Sequence, residues 1–316
     1  MIRNFAASVR ARLYNKSKEN GVEFQLLLAR YAGERFLYRL GASSFRDRCI
    51  LKGATLLVVW MEEPYRTTRD IDLLALGYND ATSVREIVKT VCAVACPEDG
   101  LTFDLDSVRI SPIRAQQQFQ GQRVGMICRL GQARIPIQID FGFGDVVTPA
   151  PHEMSMSTLL KGIPAPVVQV YPMVTSLAEK FDAMVSLGQR NSRMKDFYDV
   201  WALSGAFTFE GKALREAIHS CFERRRKPVF EETPVALTLA FYSDEALNTR
   251  WRDYRYDAAL LSTPPESFAV IGERVRNFFG PIHASIVANS SFDLHWPPGG
   301  PWGSVAERND EDGDHA

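Results

Sequence analysis

A chain of 316 residues with 46% hydrophobic content has length for one large domain or two ordinary ones, and enough apolar side chains for a sizeable core. The formal net charge of −1 excludes nucleic-acid capture by an overall positive field, so any such contact has to come from a local basic patch. Five cysteines without Cys-x-x-Cys spacing argue against a disulfide framework, and no apolar run approaches the roughly 20 residues of a membrane span, so a reduced cytoplasm with no membrane attachment is expected.

Met1 to Lys16 alternates apolar and basic residues without the continuous apolar core of a signal peptide. Apolar positions from Phe5 to Leu40 recur at helical spacing, punctuated by Gly21 and Gly41, which predicts two helices before the first strand. Ile50-Leu51 leads into a turn, Lys52-Gly53-Ala54-Thr55, and Thr55 to Met61 reads as a helix or extended element. A strand follows at Asp70-Ile71-Asp72-Leu73-Leu74. The helix predicted from Val84 to Cys96 would set Cys92 and Cys96 on one face, but no nearby His or second Cys pair supports a metal, and small buried residues are the better reading. Alternating segments around Phe103 to Ile113, Gly121 to Leu130 and Ala133 to Phe143 predict a mostly antiparallel region. In the last of these Gln138 and Asp140 share the face opposite Ile135, Ile137 and Ile139. Prolines from Val147 to Pro172 make that interval a crossing between lobes. Helices are predicted at Val174 to Leu187, Arg193 to Leu203 (capped by Asn191 or Ser192), Phe207 to Arg226, Val235 to Tyr242, Asp244 to Tyr254 and Pro265 to Phe278. The proline- and glycine-rich, then acidic, tail from Pro297 reads as disordered.

The chemistry turns on Asp70 and Asp72. In a strand they point to one face while Ile71 and Leu73 serve the core. Two carboxylates held close repel, and the usual relief is a hard divalent cation with oxygen ligands, which also binds phosphates. A lone Asp-x-Asp pair is common on solvated strands; the flank Leu73-Leu74-Ala75-Leu76 marks this one as buried, where an unrelieved pair is costly. Gly53 lets backbone amides approach a phosphate, with the Thr55 hydroxyl beside it. A metal-bound triphosphate also needs a cation, which Lys180 offers, and Asp196 and Asp199, three apart on a helix, can orient Lys180 or Arg193. The basic residues Arg190, Arg193, Lys195 and Arg224 to Lys227 either track an RNA backbone or form solvated helix faces.

These blocks, taken in order, resemble the AbiEii/AbiGii-type toxins of the DNA polymerase β-like nucleotidyltransferases, the toxin half of type IV toxin–antitoxin modules. The resemblance covers Phe24 to Leu40, Leu51 to Leu56, Arg66 to Leu74, Gln138 to Asp145 and Ala178 to Asp199. It implies an α/β (α+β) nucleotidyltransferase fold, a small mixed sheet flanked by helices (residues 1–150), a crossing (151–172), a mostly helical C-terminal lobe closing on the nucleotide (173–296) and a tail (297–316). By resemblance Gly53, Ala54 and Thr55 match the phosphate-side glycine motif, with Thr68 and Arg69 entering the dyad strand. Asp70 and Asp72 match the metal dyad, Asp140 a third strand carboxylate and metal ligand, Lys180 the nucleotide lysine, and Arg193-Met194-Lys195-Asp196 the Arg-x-Lys-Asp block. Thr67 stands where the family often has proline, and Met173-Val174-Thr175 where a glutamate often precedes the lysine helix. The implied activity is transfer of a nucleoside monophosphate from an NTP, with two Mg²⁺ (or Mn²⁺), to an acceptor such as a tRNA 3′ end, under control of a cognate AbiEi-like antitoxin. The alternatives are a protein hydroxyl as acceptor, or a nucleotide-binding interaction module without turnover. A phosphate added to Thr68 would compete with the dyad for the metal.

Overall fold

The computed structural model describes residues 4–61, 66–68, 70–113, 121–225, 232–257 and 260–304. Two compact units result, Met1–Pro172 with Ala258–Ser262, and Met173–Asp257 with Thr263–Ala316.

The first unit begins with two helices, α1 (Phe5–Asn20) and α2 (Phe24–Gly41). The Asn4 side chain starts α1 by accepting from Ala7 N at 3.0 Å, and Gly21 ends it in the left-handed region. Next come β1 (Cys49–Lys52), a single 3₁₀ turn (Gly53–Thr55), α3 (Leu56–Trp60), β2 (Asp70–Ala75) and α4 (Ala81–Cys92), whose N-terminus is capped by Asp80. The long strands β3 (Leu101–Ile113), β4 (Gly121–Leu130) and β5 (Ala133–Phe143) follow, then the short β6 (His152–Ser155) and β7 (Val167–Val170). All seven form one mixed sheet in the order β3-β4-β5-β2-β1-β7-β6, with β2 parallel to β5, β1 parallel to β7 and the remaining pairs antiparallel.

The interval expected to be only a crossing therefore adds two strands to the sheet. Its prolines lie outside those strands, Pro149 and Pro151 before β6 and Pro164 and Pro166 before β7, where a missing N–H costs no ladder bond. The core is built from Leu51, Ile71, Leu73, Val124, Ile139 and Phe141 of the sheet and from Tyr31, Phe36 and Leu40 of α2. Burying α2 this completely also buries Arg39. Its guanidinium meets the Asp99 carboxylate at 2.5 and 3.2 Å and donates to the carbonyls of Val94 and Arg35, while Asp99 accepts from Leu101 N. Cys96 stands before Pro97, which disfavours helical backbone, so α4 stops at Cys92 and the two cysteines do not share a helix face.

The second unit contains α5 (Met173–Leu187), α6 (Met194–Ala206), β8 (Phe209–Glu210), α7 (Gly211–Arg224), α8 (Leu239–Ser243), α9 (Glu245–Tyr254), α10 (Phe268–Val287) and β9 (His295–Trp296), with β8 and β9 paired. The last long helix packs on α6, α7 and α8 and runs nine residues past the predicted end at Phe278, with Pro281 inside it. Phe278, Phe279, Ile282 and Ile286 continue one buried face through the proline, and that burial outweighs one lost backbone bond. The stretch after Pro297, expected to be disordered, is held as far as Gly303. Trp302 stacks on Phe278 at 5.6 Å and donates its indole N–H to the Phe278 carbonyl, and His295 and Gly303 exchange backbone bonds. Residues from 305 onward lie outside the described set.

Candidate active site

Strand register assembles the site. Lys52 of β1 stands opposite Asp72 of β2, Asp72 beside Asp140 of β5, and Asp140 opposite Arg123 of β4. Residues directly paired across neighbouring strands share a face, so Lys52, Asp72, Asp140 and Arg123 form one row across four strands. Two carboxylates lie in its middle and a cation at each end. Asp70, two residues before Asp72, joins the same face beside Gln138. The alternating residues Ile71, Leu73, Ile139 and Phe141 turn to the other face and are buried.

The turn after β1 supports this row from the side. Gly53 has φ +69°, and a Cβ on it would lie 2.1 Å from Asp72 Oδ2, so only glycine lets that carboxylate sit against the backbone here. Ala54 and Thr55 are half-buried, and the Thr55 hydroxyl donates to the Asp70 carbonyl at 3.1 Å, as does that of Thr68 at 3.4 Å. Both hydroxyls thus hold the dyad strand by its backbone, a task that motif spacing alone did not suggest. Arg69 lies outside the described residues.

Asp140 is bound by Arg123 through two parallel bonds, Nε to Oδ1 at 2.8 Å and Nη2 to Oδ2 at 2.7 Å. That hydrogen bonding raises the guanidinium pKa above its ordinary value against partial burial, and the charges of Asp140, Asp70 and Asp72 add to it. Lys52 pairs with Asp145 at 2.8 Å and lies 5.3 Å over the Tyr171 ring. Sequence reading missed Lys52, Arg123 and Asp145 as site residues. Lys52 adjoins Gly53 and was open to inspection, whereas Arg123 acquires meaning only from the β4–β5 register.

Among the described residues no group of three His, Cys, Asp or Glu side chains is placed to hold a metal ion. Both oxygens of Asp140, which the resemblance implies as a third metal ligand, accept from Arg123. Asp70 and Asp72 fit a hard divalent cation by chemistry: they supply oxygen donors from one face, Asp72 packed against the Gly53 backbone, and water and phosphate oxygens complete such coordination.

A cavity of about 750 Å³ within the first unit borders Asp70. Lys16, Arg30 and Arg66 bring positive charge to its wall, and Thr55, Thr67 and Thr68 bring hydroxyls. Burial lowers the Arg30 pKa, with Glu34 opposing the shift, and burial raises that of Glu34. A desolvated guanidinium and clustered hydroxyls suit a phosphorylated ligand.

In the second unit Lys180 projects from α5 to Asp196 and Asp199 in the first turns of α6, with Nζ 3.2 Å from Asp196 Oδ1 and 2.5 Å from Asp199 Oδ2. Both carboxylates are 1% exposed and the Lys180 side chain is 16% exposed, so the ammonium is held between two buried carboxylates. Arg193 Nε lies 2.6 Å from Asp196 Oδ2, an ion pair without the alignment of a hydrogen bond. Lys195 is exposed. Asn191 accepts from Arg193 N at 2.8 Å, which sets the turn before α6 although it is not the cap. The basic run at the end of α7 divides: Arg224 is exposed, Arg225 is ion-paired with the buried Asp182, and Arg226 and Lys227 lie outside the described residues. Arg225 is therefore a structural cation and not a solvated one.

No described helix is long and apolar enough to cross a membrane. No curated protein matches the chain. Among solved structures it is similar to a "putative nucleotidyltransferase from H. pylori", with 12% identity over 86% of this chain and 100% of that one at a TM-score of 0.48, and to JHP933 from Helicobacter pylori, with 13% identity over 84% and 94% at 0.48. Residues 35–274 match the family described as "Nucleotidyl transferase AbiEii toxin, Type IV TA system", and with three-quarters of its length inside that match the chain belongs to the AbiEii nucleotidyltransferase toxins.

Proposed function

We propose that this chain transfers a nucleoside monophosphate from an NTP to an acceptor hydroxyl at a divalent-cation site, Mg²⁺ or Mn²⁺, held by Asp70 and Asp72. The observation that carries the reading is Asp72 lying against the backbone of Gly53 with Asp70 on the same face. A cation held by Asp70 and Asp72 would supply neutralisation of the phosphates and activation of the attacking hydroxyl. Attack by the acceptor oxygen forms a P–O bond at the α-phosphorus, breaks the bond to pyrophosphate and passes the hydroxyl proton to solvent water. Gly53 admits the Asp72 carboxylate against its backbone, Thr55 and Thr68 fix the Asp70 carbonyl, and Lys16, Arg30 and Arg66 attract the phosphorylated end of a substrate into the neighbouring cavity. Lys180 keeps the role that family resemblance implies, neutralising the leaving pyrophosphate, with Asp196 and Asp199 fixing its ammonium.

RNA is the favoured acceptor, and a tRNA 3′ end the specific form implied by resemblance. Its support is the exposed basic set of the second unit, Arg190, Lys195 and Arg224. A cognate antitoxin is the expected protein partner, as for a type IV toxin. Incubation with Mg²⁺, each α-labelled NTP in turn, and total cellular RNA and protein tests the acceptor. Label in a small RNA supports the reading; label confined to protein replaces RNA by a protein hydroxyl, and the absence of label with every nucleotide favours a binding module without turnover.

A further inference from the structure

Asp70, Asp72 and Asp140 lie on one sheet face, for which the family resemblance implies two divalent ions. In this chain Asp140 carries a cation on both of its oxygens. Arg123 covers Asp140 with a planar fork, both oxygens engaged at 2.8 and 2.7 Å, and the pair lies in the same cross-strand row as Asp72. Arg123 is 47% exposed while the Asp140 carboxylate that it binds is 15% exposed, so most of the carboxylate's surface is covered with the guanidinium in place. A guanidinium cannot be deprotonated in the working range of a protein, so this positive charge is permanent. At the other end of the row Lys52 makes its ion pair with Asp145. The field of Asp70 and Asp72 also reaches Arg123, which makes it a counter-ion to the whole face and not to Asp140 alone.

We propose that Arg123 is a built-in counter-ion that takes the place of a second divalent cation at Asp140, so that the resting site binds one divalent ion, at Asp70 and Asp72. The inference rests on the metal reading of those two aspartates. Arg123 is then a positioning residue: it holds Asp140 in the row and keeps a second ion off it until a substrate brings its own phosphates.

The test counts ions without turnover. Mn²⁺ is titrated into the full chain in the absence of nucleotide, and the free aqua ion is followed by its electron paramagnetic resonance signal, with melting curves to show that each variant is folded. Wild type and Arg123→Lys should bind one ion, and Asp70→Ala should lose it. Arg123→Gln should bind a second ion, and the added change Asp140→Asn should return it to one. A wild type that binds two ions, one of them lost in Asp140→Asn, overturns the proposal. So does an Arg123→Gln variant that still binds one ion at unchanged affinity while Asp70→Ala binds none. Absence of any Mn²⁺ binding by the wild type overturns the dyad metal reading itself, and the proposal with it.

Discussion

Arg39–Asp99 and Arg123–Asp140 are the same chemical pair in two environments. In the first, the side chains are 4% and 0% exposed, and the remaining polar atoms are spent on backbone groups of Val94, Arg35 and Leu101. In the second, the arginine is 47% exposed and the pair stands on the sheet face that carries the Asp70–Asp72 dyad. A buried pair with satisfied neighbours ties α2 to the turn before β3, and losing either partner strands a charge. A pair at the surface of a site adds little to stability and much to the local field. Identical residues thus divide into a structural joint and a functional counter-ion according to what surrounds them.

Breaking the buried pair should have the largest effect. Arg39→Met leaves Asp99 buried without its cation and should cost about 3–5 kcal/mol of stability, a fall in Tm of about 10 °C, with transfer activity per folded molecule unchanged. Thermal melts beside active-site titration check both halves. The dyad should behave in the opposite way: Asp72→Ala should reduce transfer at least about a thousandfold, about 4 kcal/mol of transition-state stabilisation, while leaving Tm unchanged or slightly higher because a repulsion is removed.

Lys180 combines the two behaviours. Lys180→Ala should reduce transfer about a hundredfold, about 2.7 kcal/mol, and also lower stability because Asp196 and Asp199 remain buried. Lys180→Arg should restore most of the stability and only part of the activity, because a planar fork does not reproduce the point charge. Equal activity in all three forms would reduce Lys180 to a structural residue. At the exposed pair, Arg123→Gln should change stability by no more than about 1 kcal/mol, measured by denaturant unfolding.

The smallest effect concerns three thiols, of which Cys49 and Cys128 are buried and Cys92 is half-buried. Burial pushes Cys49, Cys92 and Cys128 up to about 12, above the ordinary thiol value. Their protonated forms favour the folded state, so this contribution is fully present below about pH 9 and is lost as pH rises from there toward 12. Melts between pH 8 and 11 should show falling Tm over that window, and a thiol reagent at pH 8 should leave Cys49 and Cys128 unmodified until the protein unfolds, with the half-buried Cys92 reacting before them.

Much of this was legible in the residues. Period-two alternation gave β4 and β5 to the residue, and the shared face of Asp70 and Asp72 follows from strand geometry alone. What was not legible depended on register and on tertiary packing. Nothing local marks Arg123 as the partner of Asp140, seventeen residues away on the next strand, or Arg39 as that of Asp99. Proline counting hid β6 and β7 because it registers breakers and not the short runs between them. The tail from Pro297 looked unstructured by composition, yet Trp296 and Trp302 each bury a ring against Phe278. The arginine run at the end of α7 read as one patch, but Asp182 claims Arg225 from another helix, so an RNA-binding test should alter Arg190, Lys195 and Arg224 and leave Arg225 in place.

In the proposed mechanism Asp70 and Asp72 carry nucleotide transfer on a fold that does not need them. Its most direct test is label transfer from an α-labelled NTP, under single-turnover conditions with saturating Mg²⁺, by wild type, Asp70→Ala and Asp72→Ala proteins with identical circular dichroism. The account predicts labelled acceptor with wild type alone. Labelling by Asp70→Ala at the wild-type rate would contradict it.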